Sequence, residues 1–488
     1  MSDAAPVRVN VSAALEGLAE NPALPAEMVR RLFAYRRGFG HVAKRADLTA
    51  DLIAEIMATD HHWLLHSLAL NRHLPDDVRL RLAEHVDSSV RAALVIGGEH
   101  GGRELFDRLI NDPDRRVREY LAQSEAVPAD LRARLAHDPD PQIRATLACW
   151  WPEAPEAVRR ILLTDPVGAV RAAACGTYYA RLPHPVPPAD LHIDLFDDPV
   201  TRAGVVRYLD LAADTSLRLA TDPDDEVRQE LAAHPQLPPD LRDQLAEDSS
   251  ARVRVAIFAR PDTPEPIRYR IYSDLQQDTG RLIDQMDGLD DESMLRKLED
   301  HIAVIELRNL YLAWVSADPL PHIASPYVCF RYSAARSHSL PPEAVMRLLN
   351  DDESIVHTTM AHHAPHLVDL DAAERIDREF RPDKRTNWRP ADDFTFPTQV
   401  LRRFATDPDP RMRCLGPRDP DLPPDLAEQL ARDTDSSVRH AVAPHPNLPT
   451  PALTALLADP VDWVARAAAT SPTLPVADMD RLLRLAGV

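Results

Sequence analysis

Apolar positions in this chain fall into two short groups that alternate, separated by prolines and acidic residues. From Asp222 the chain reads DPDDEVRQELAAHPQLPPDLRDQLAEDSSARVR, and from Asp407 it reads DPDPRMRCLGPRDPDLPPDLAEQLARDTDSSVRHAVAPHPNLP. Both reduce to D-P-D-x-x-V-R-x-x-x-A, a break containing Pro, and L-P-x-x-L-x-x-x-L-A-x-D. The pattern predicts a pair of short helices. In the first, Asp222 is expected to accept hydrogen bonds from the open N–H groups of the first turn, with Pro223 at the first helical position. The second is expected to start at Pro238, with Leu241 and Leu245, four residues apart, on one face.

Forty-five prolines in 488 residues would argue against helices, were they not in phase with this pattern. They occupy the Asp-Pro slot at Pro113, Pro139, Pro166, Pro223, Pro408 and Pro460. In the Leu-Pro slot stand Pro128, Pro238, Pro264, Pro341, Pro423, Pro449 and Pro475. Helices so punctuated are too short to persist alone and must stack.

The stacking has a fixed step. Arg91, Arg118, Arg144, Arg171, Arg228, Arg254, Arg331, Arg413 and Arg439 each follow an apolar residue, and neighbouring ones recur every 26 or 27 residues. The expected fold is therefore all-α, a solenoid of about 13–15 two-helix units of about 26 residues. An array is expected over 1–268, with degenerate cap units at 1–75 and an irregular region at 175–200. A helical insertion or enlarged unit is expected at 269–323, repeats at 324–376, an irregular insertion at 377–398, and repeats with a cap at 399–488. Leu15, Phe39 and Leu65 replace the arginine in the first units and Ala465 in the last. Such atypical units are expected to turn their outer faces to water.

Residues Asp435 to Pro449, DSSVRHAVAPHPNLP, and Asn21 to Pro25, NPALP, resemble the repeat of the leucine-rich repeat variant family, D-P-D-x-x-V-R-x-x-V-A-x-[NH]-P-x-[LT]-P-x-x-[LV]. The resemblance covers most of the chain. It implies a right-handed superhelix of alternating α and 3₁₀ helices, HEAT-like but with a smaller unit. Some members hold an iron–sulfur cluster on four N-terminal cysteines. Here Cys149, Cys175, Cys329 and Cys414 are dispersed, with no C-x₂-C pair, so no cluster, zinc or other cofactor is expected. They are expected to be small apolar fillers.

Few cysteines, no leader-like start and no long apolar run make a cytoplasmic protein without a membrane segment the expectation. Lysine is confined to Lys44, Lys297 and Lys384 among 56 basic residues. With abundant Ala, Pro, Asp and Arg, this is the composition of a high-GC bacterial genome, such as an actinobacterial one. The net charge of −21 repels phosphate backbones and disfavours nucleic acid as a partner.

Two readings of the arginine ladder compete: a cationic stripe for an acidic partner, or a structural series in which each guanidinium bridges to carboxylates of its own or an adjacent unit. The second is preferred, because Arg144, Arg228 and Arg413 each follow an Asp-Pro-Asp or Asp-x-Asp segment. The histidine-rich stretches HHWLLHSLALNRH (His61, His62, His66, His73) and HTTMAHHAPH (His357, His362, His363, His366) lack the remainder of a metal site. His363 shares a slot with His234 and His445, so a solvated or turn-capping role is expected. A basic stretch, Arg30 to Arg45, is read as a solvated face.

No nucleophile elbow, P-loop or dinucleotide fingerprint is present, and only 14 glycines are available to cradle phosphates. A non-enzyme is expected. After Gly288 the chain suggests an amphipathic helix with Leu295, Leu298, Ile302 and Ile305 on one face. The 377–398 insertion interleaves basic and aromatic residues. Its Arg381, Lys384, Arg385, Trp388 and Arg389 are the candidate partner-binding residues, against the alternative that Trp388 simply packs back onto the array. The expected function is a scaffold or adaptor for a protein or peptide. Nucleic-acid binding through local basic patches is the alternative, and chemistry on an insertion is less favoured.

Overall fold

The Asp-Pro-Asp segment acts as two caps in series. Asp222 accepts the backbone N–H of Asp224 at 3.0 Å, and Asp224 in turn accepts that of Glu226 at 3.0 Å, opening helix Asp225–Ala232. The N-cap is thus the second aspartate, and the proline lies before it in the turn rather than at the first helical position. Asp114, Asp140, Asp409 and Asp435 cap their helices in the same way. The first aspartate is thereby left with oxygens to face a neighbouring unit. The second helix of the unit is Pro239–Leu245 with Pro238 as its N-cap, and Leu241 and Leu245 are both buried.

The structure, a computed structural model, describes residues 11–33, 35, 39–59, 61–98, 101–176, 183–284, 291–381, 386 and 388–488. Among them are 33 α-helices, seven 3₁₀ segments and no strand. The fold is all-α and built of stacked helix pairs, as the repeat predicts. A regular alternation of α and 3₁₀ helices is not seen, because most second helices carry no interior Pro or Gly and keep α hydrogen bonding. The 3₁₀ turns gather where a proline interrupts, as in Pro365–Leu367, Pro390–Asp392 and Gly416–Arg418.

The chain divides into two compact units, Met1–Trp151 together with Phe396–Val488, and Pro152–Thr395. In the first, the leading helices stack in series: Val11–Glu20, Phe39–Ala43, His62–Ala69, Ser88–Ile96, Arg115–Gln123 and Pro141–Trp150. Pro410–Arg413, Ser436–Val442 and Asp462–Thr470 form a second series, and Asp462–Thr470 packs directly on Val11–Glu20. The N-terminal repeat and the C-terminal repeat therefore cover one another, where the sequence suggested water-facing caps.

The seam follows the rules of any other junction in the array. Asn21 Nδ2 donates to the carbonyls of Ala469 and Ser471, both at 2.8 Å, just as Asn71 Nδ2 donates to those of Ala43 and Arg45 in the preceding unit. Leu15 and Ala465, which replace the arginine, are fully buried, and Leu15 shares one core with Leu18, Ala468, Met479 and Leu482. Arg31 bonds Asp480 at 2.6 Å and the Val488 carbonyl at 2.7 Å. Gly17 is required here: a β-carbon on it would collide with the Arg466 carbonyl oxygen.

In the unit Pro152–Thr395, the long helices Glu265–Asp284 and Asp291–Glu306 depart from the repeat. Helix Asp291–Glu306 lies against Ala251–Ala259 and Glu265–Asp284. Its Val304 is buried, as is Leu307 just beyond, whereas Leu298, Ile302 and Ile305 are 42%, 42% and 54% exposed. The face expected from the sequence exists at these three positions, but it is turned outward. The Leu295 side chain lies outside the described residues.

Candidate functional site

The ladder arginines bind along the array. Arg91, Arg118, Arg228, Arg331, Arg413 and Arg439 each direct Nε to the first aspartate of the following unit, with Arg228 Nε to Asp248 at 2.8 Å and Arg439 Nε to Asp459 at 2.6 Å. Arg171 does the same to Asp198. Nη1 also takes the carbonyl six residues back, as in Arg228 to Asp222 at 2.7 Å, Arg144 to Asp138 at 2.7 Å and Arg254 to Asp248 at 2.9 Å. The guanidinium groups are thus engaged within the array rather than presented as a cationic stripe. A further rung, Arg202 to Asp222 at 3.2 Å, falls just past the 175–200 region, at a position the sequence pattern did not single out.

A second set of arginines was missed. Arg79, Arg132, Arg242 and Arg268 are buried in the second helices, and each donates to backbone carbonyls, as Arg79 does to Leu74, Asn71 and Arg72. Burial lowers their pKa at Arg79 and Arg268, and takes Arg132 down to about 10. The signal was available as Pro-x-x-[Leu/Val/Ile]-Arg in PDDVR, PADLR, PPDLR and PEPIR.

His234 and His445 hold the inter-helix break. Nε2 donates to Leu209 O or Asp419 O at 2.9 Å, while Nδ1 accepts the N–H of Gln236 or Asn447 at 3.1 Å. Those partners fix the tautomer, since an amide can only donate and a carbonyl only accept. His363 instead packs edge-on to His338 and His362, and burial lowers its pKa. His62 bonds Asp87 at 2.8 Å and His66 donates to Ser89 O at 3.0 Å. No group of three or more possible metal ligands occurs among the described residues. Cys175 and Cys329 are buried, which pushes both thiols up to about 12.

At the 377–398 insertion the ladder changes hands. His357 occupies the arginine slot, with Nδ1 donating to Asp351 O at 2.9 Å, six residues back. Asp377, twenty residues on and 0% exposed, is the matching aspartate, yet its partner is Arg389 from the insertion. Ala391 N also donates to Asp377 at 3.0 Å. Arg389, a candidate for partner binding, is therefore the partly buried anchor that ties the insertion to the buried Asp377. Trp388 stands edge-on to Phe380 and His362, and its Nε1 donates to Asp393 at 3.2 Å. Arg381 is exposed, while Lys384 and Arg385 lie outside the described residues.

Trp388, Phe380 and Arg381 line a cleft of about 550 Å³ together with Ile302 and Ile305 of the outward-turned helix. A second cleft of about 620 Å³ flanks the same helix, between Ile302 and the alanines Ala233, Ala256 and Ala259. Two departures from the repeat, 269–323 and 377–398, thus border one cleft of this unit.

These features define an α-helical repeat protein with one specialised surface in its Pro152–Thr395 unit. No family model matches the chain, and no curated protein matches it either. Among solved structures it is similar to Kap121p bound to Ste12p, at 16% identity over 91% of this chain and 50% of that one, with a TM-score of 0.26. It is also similar to Kap121p bound to RanGTP, at 15% identity over 93% and 49%, with a TM-score of 0.20. The chain spans about half the length of those it matches.

Proposed function

We propose that this protein is a non-catalytic scaffold or adaptor of the leucine-rich repeat variant type, cytoplasmic, that binds a protein or peptide. One observation carries the reading. Two interruptions of the repeat, 269–323 and 377–398, meet at one cleft and leave Ile302 and Ile305 exposed there, with Trp388 in the same lining. The ladder and cap side chains of the repeat are bonded within the array, so a surface made by the interruptions is where an outside molecule gains contacts the array does not supply.

Capture from a lysate of the native cell, under nuclease and with mass spectrometric identification, tests it. The comparison is a chain in which Phe380 to Trp388 is replaced by a glycine–serine linker of equal length, keeping Asp377 and Arg389. A nuclease-resistant protein lost with the replacement supports the scaffold. Nucleic acid recovered without nuclease, and nothing with it, would overturn it in favour of binding through basic patches, whose affinity would fall steeply with salt.

A further inference from the structure

We infer that the 550 Å³ cleft of the Pro152–Thr395 unit is a docking groove for an acidic amphipathic peptide segment of another protein, one presenting a row of aliphatic side chains beside a carboxylate. The inference rests on the scaffold reading and names the partner's chemistry. Three observations converge on it.

The first is the uncovered row. Leu298, Ile302 and Ile305 follow one another at helical spacing on a helix whose core contact is already supplied by Val304. Ile302 and Ile305 of this row make an apolar trough with Ile355, Phe380 and Trp388, which line the same cleft, and its volume lies within the usual range for ligand sites, roughly 300–1,000 Å³. An amphipathic segment laid into such a trough buries its apolar side chains against the isoleucines.

The second is an unmet hydrogen bond. Thr358 lines the cleft, is 7% exposed, and its Oγ1 has no partner among the described residues. Buried polar groups are almost always satisfied, so an unbonded hydroxyl, itself closed to water, on a residue that lines the cleft marks a group that a ligand completes when the wall opens locally. A peptide supplies one at every residue.

The third is the charge at the rim. Arg381 spends a single nitrogen, Nη1, on the carbonyls of Arg378 and Phe380, and no carboxylate pairs with it among the described residues. Its Nε and Nη2 remain available for the two-bond grip that guanidinium gives a carboxylate. Arg308, the other lining cation, is already paired with Glu353. Glu306 also lines the cleft, so the peptide's carboxylate belongs at the Arg381 side and a neutral or basic residue at the Glu306 side.

The test selects random dodecamer peptides, displayed on phage, against the full-length chain, and then measures the synthesised peptides by fluorescence anisotropy. Recovered peptides are expected to combine Leu, Ile, Val or Phe four residues apart with Asp or Glu. Ile305→Glu is expected to weaken them about tenfold or more. Arg381→Glu is expected to weaken them about fivefold, with recovery when the peptide's carboxylate is changed to Lys. Thr358→Val is expected to weaken them about threefold while leaving Tm unchanged or raised, which a purely structural role would not do. Ile305 and Arg381 are exposed, so their variants are expected to keep the wild-type circular dichroism and Tm. No enrichment, or peptides indifferent to all three changes, overturns the groove. A cellular protein partner that Ile305→Glu still captures leaves the scaffold reading standing and removes this assignment alone.

Discussion

Arginine does three separate jobs in this chain, told apart by what surrounds each one. In the ladder it reaches forward to the next unit's aspartate; in the second helices it closes carbonyls; at position 389 it anchors a loop. The ladder pair Arg228 and Asp248 is mostly buried, with side chains 12% and 9% exposed, so removing one partner strands the other. Arg228→Ala is expected to cost about 2 kcal/mol in denaturant unfolding, and a double-mutant cycle with Asp248→Ala should return a coupling of roughly 1 kcal/mol or more. Additive single effects would mean the rung binds nothing. The capping aspartates make stability depend on acid. The Ser89 backbone N–H holds Asp87 at about 2, against an ordinary value of 3.8. Burial opposes the shift at Asp433, but the Arg413 hydrogen bond and the Asp435 backbone N–H carry it below the ordinary value. A carboxyl depressed in the folded state contributes above its unfolded pKa and loses that contribution as pH falls through the folded one. Helical circular dichroism is therefore expected to hold in the neutral range and decline from about pH 4 toward pH 2, with Asp87→Asn shallower.

Among the elements, the helix pairs were legible because proline, aspartate and leucine recur in phase, and Leu241 and Leu245 lie where the spacing put them. The cap was misplaced by two residues, since Asp222 and Asp224 are equally good acceptors in the linear sequence and only the path of the turn separates them. The outward face of Asp291–Glu306 was hidden for a similar reason: periodicity groups Leu298, Ile302 and Ile305 but does not say which way a group points. Arg389 read as a free cation because its partner, Asp377, fills a ladder slot whose arginine has become His357. That pairing makes a sharp expectation for the insertion. Arg389→Met leaves a fully buried carboxylate and is expected to cost about 3 kcal/mol in urea unfolding followed by tryptophan fluorescence. Arg381→Ala, at an exposed position, is expected to stay within about 0.5 kcal/mol of wild type.

At the scale of the whole molecule, the N-terminal repeat takes the place that a further unit would take after the C-terminal one. No step in the linear pattern announces it, because the contact spans residues about as far apart as the chain allows, such as Asn21 and Ser471. Its traces are the loss of arginine at Leu15 and Ala465 and the presence of Gly17. Gly17→Val is expected to break the seam, lower Tm, and expose faces able to stack on another copy, seen as concentration-dependent oligomers in size-exclusion chromatography with light scattering. A Gly17→Val protein with wild-type Tm and a single concentration-independent species would contradict that. Hydrogen exchange on the unmodified chain tests the seam most directly. Helix Val11–Glu20, ten residues long, is too short to protect its own amides. If it is stacked on Asp462–Thr470, the two helices exchange slowly together, and Gly17→Val releases both. Fast exchange across Val11–Glu20 beside slow exchange across Asp462–Thr470 in the wild-type protein would contradict the joined array.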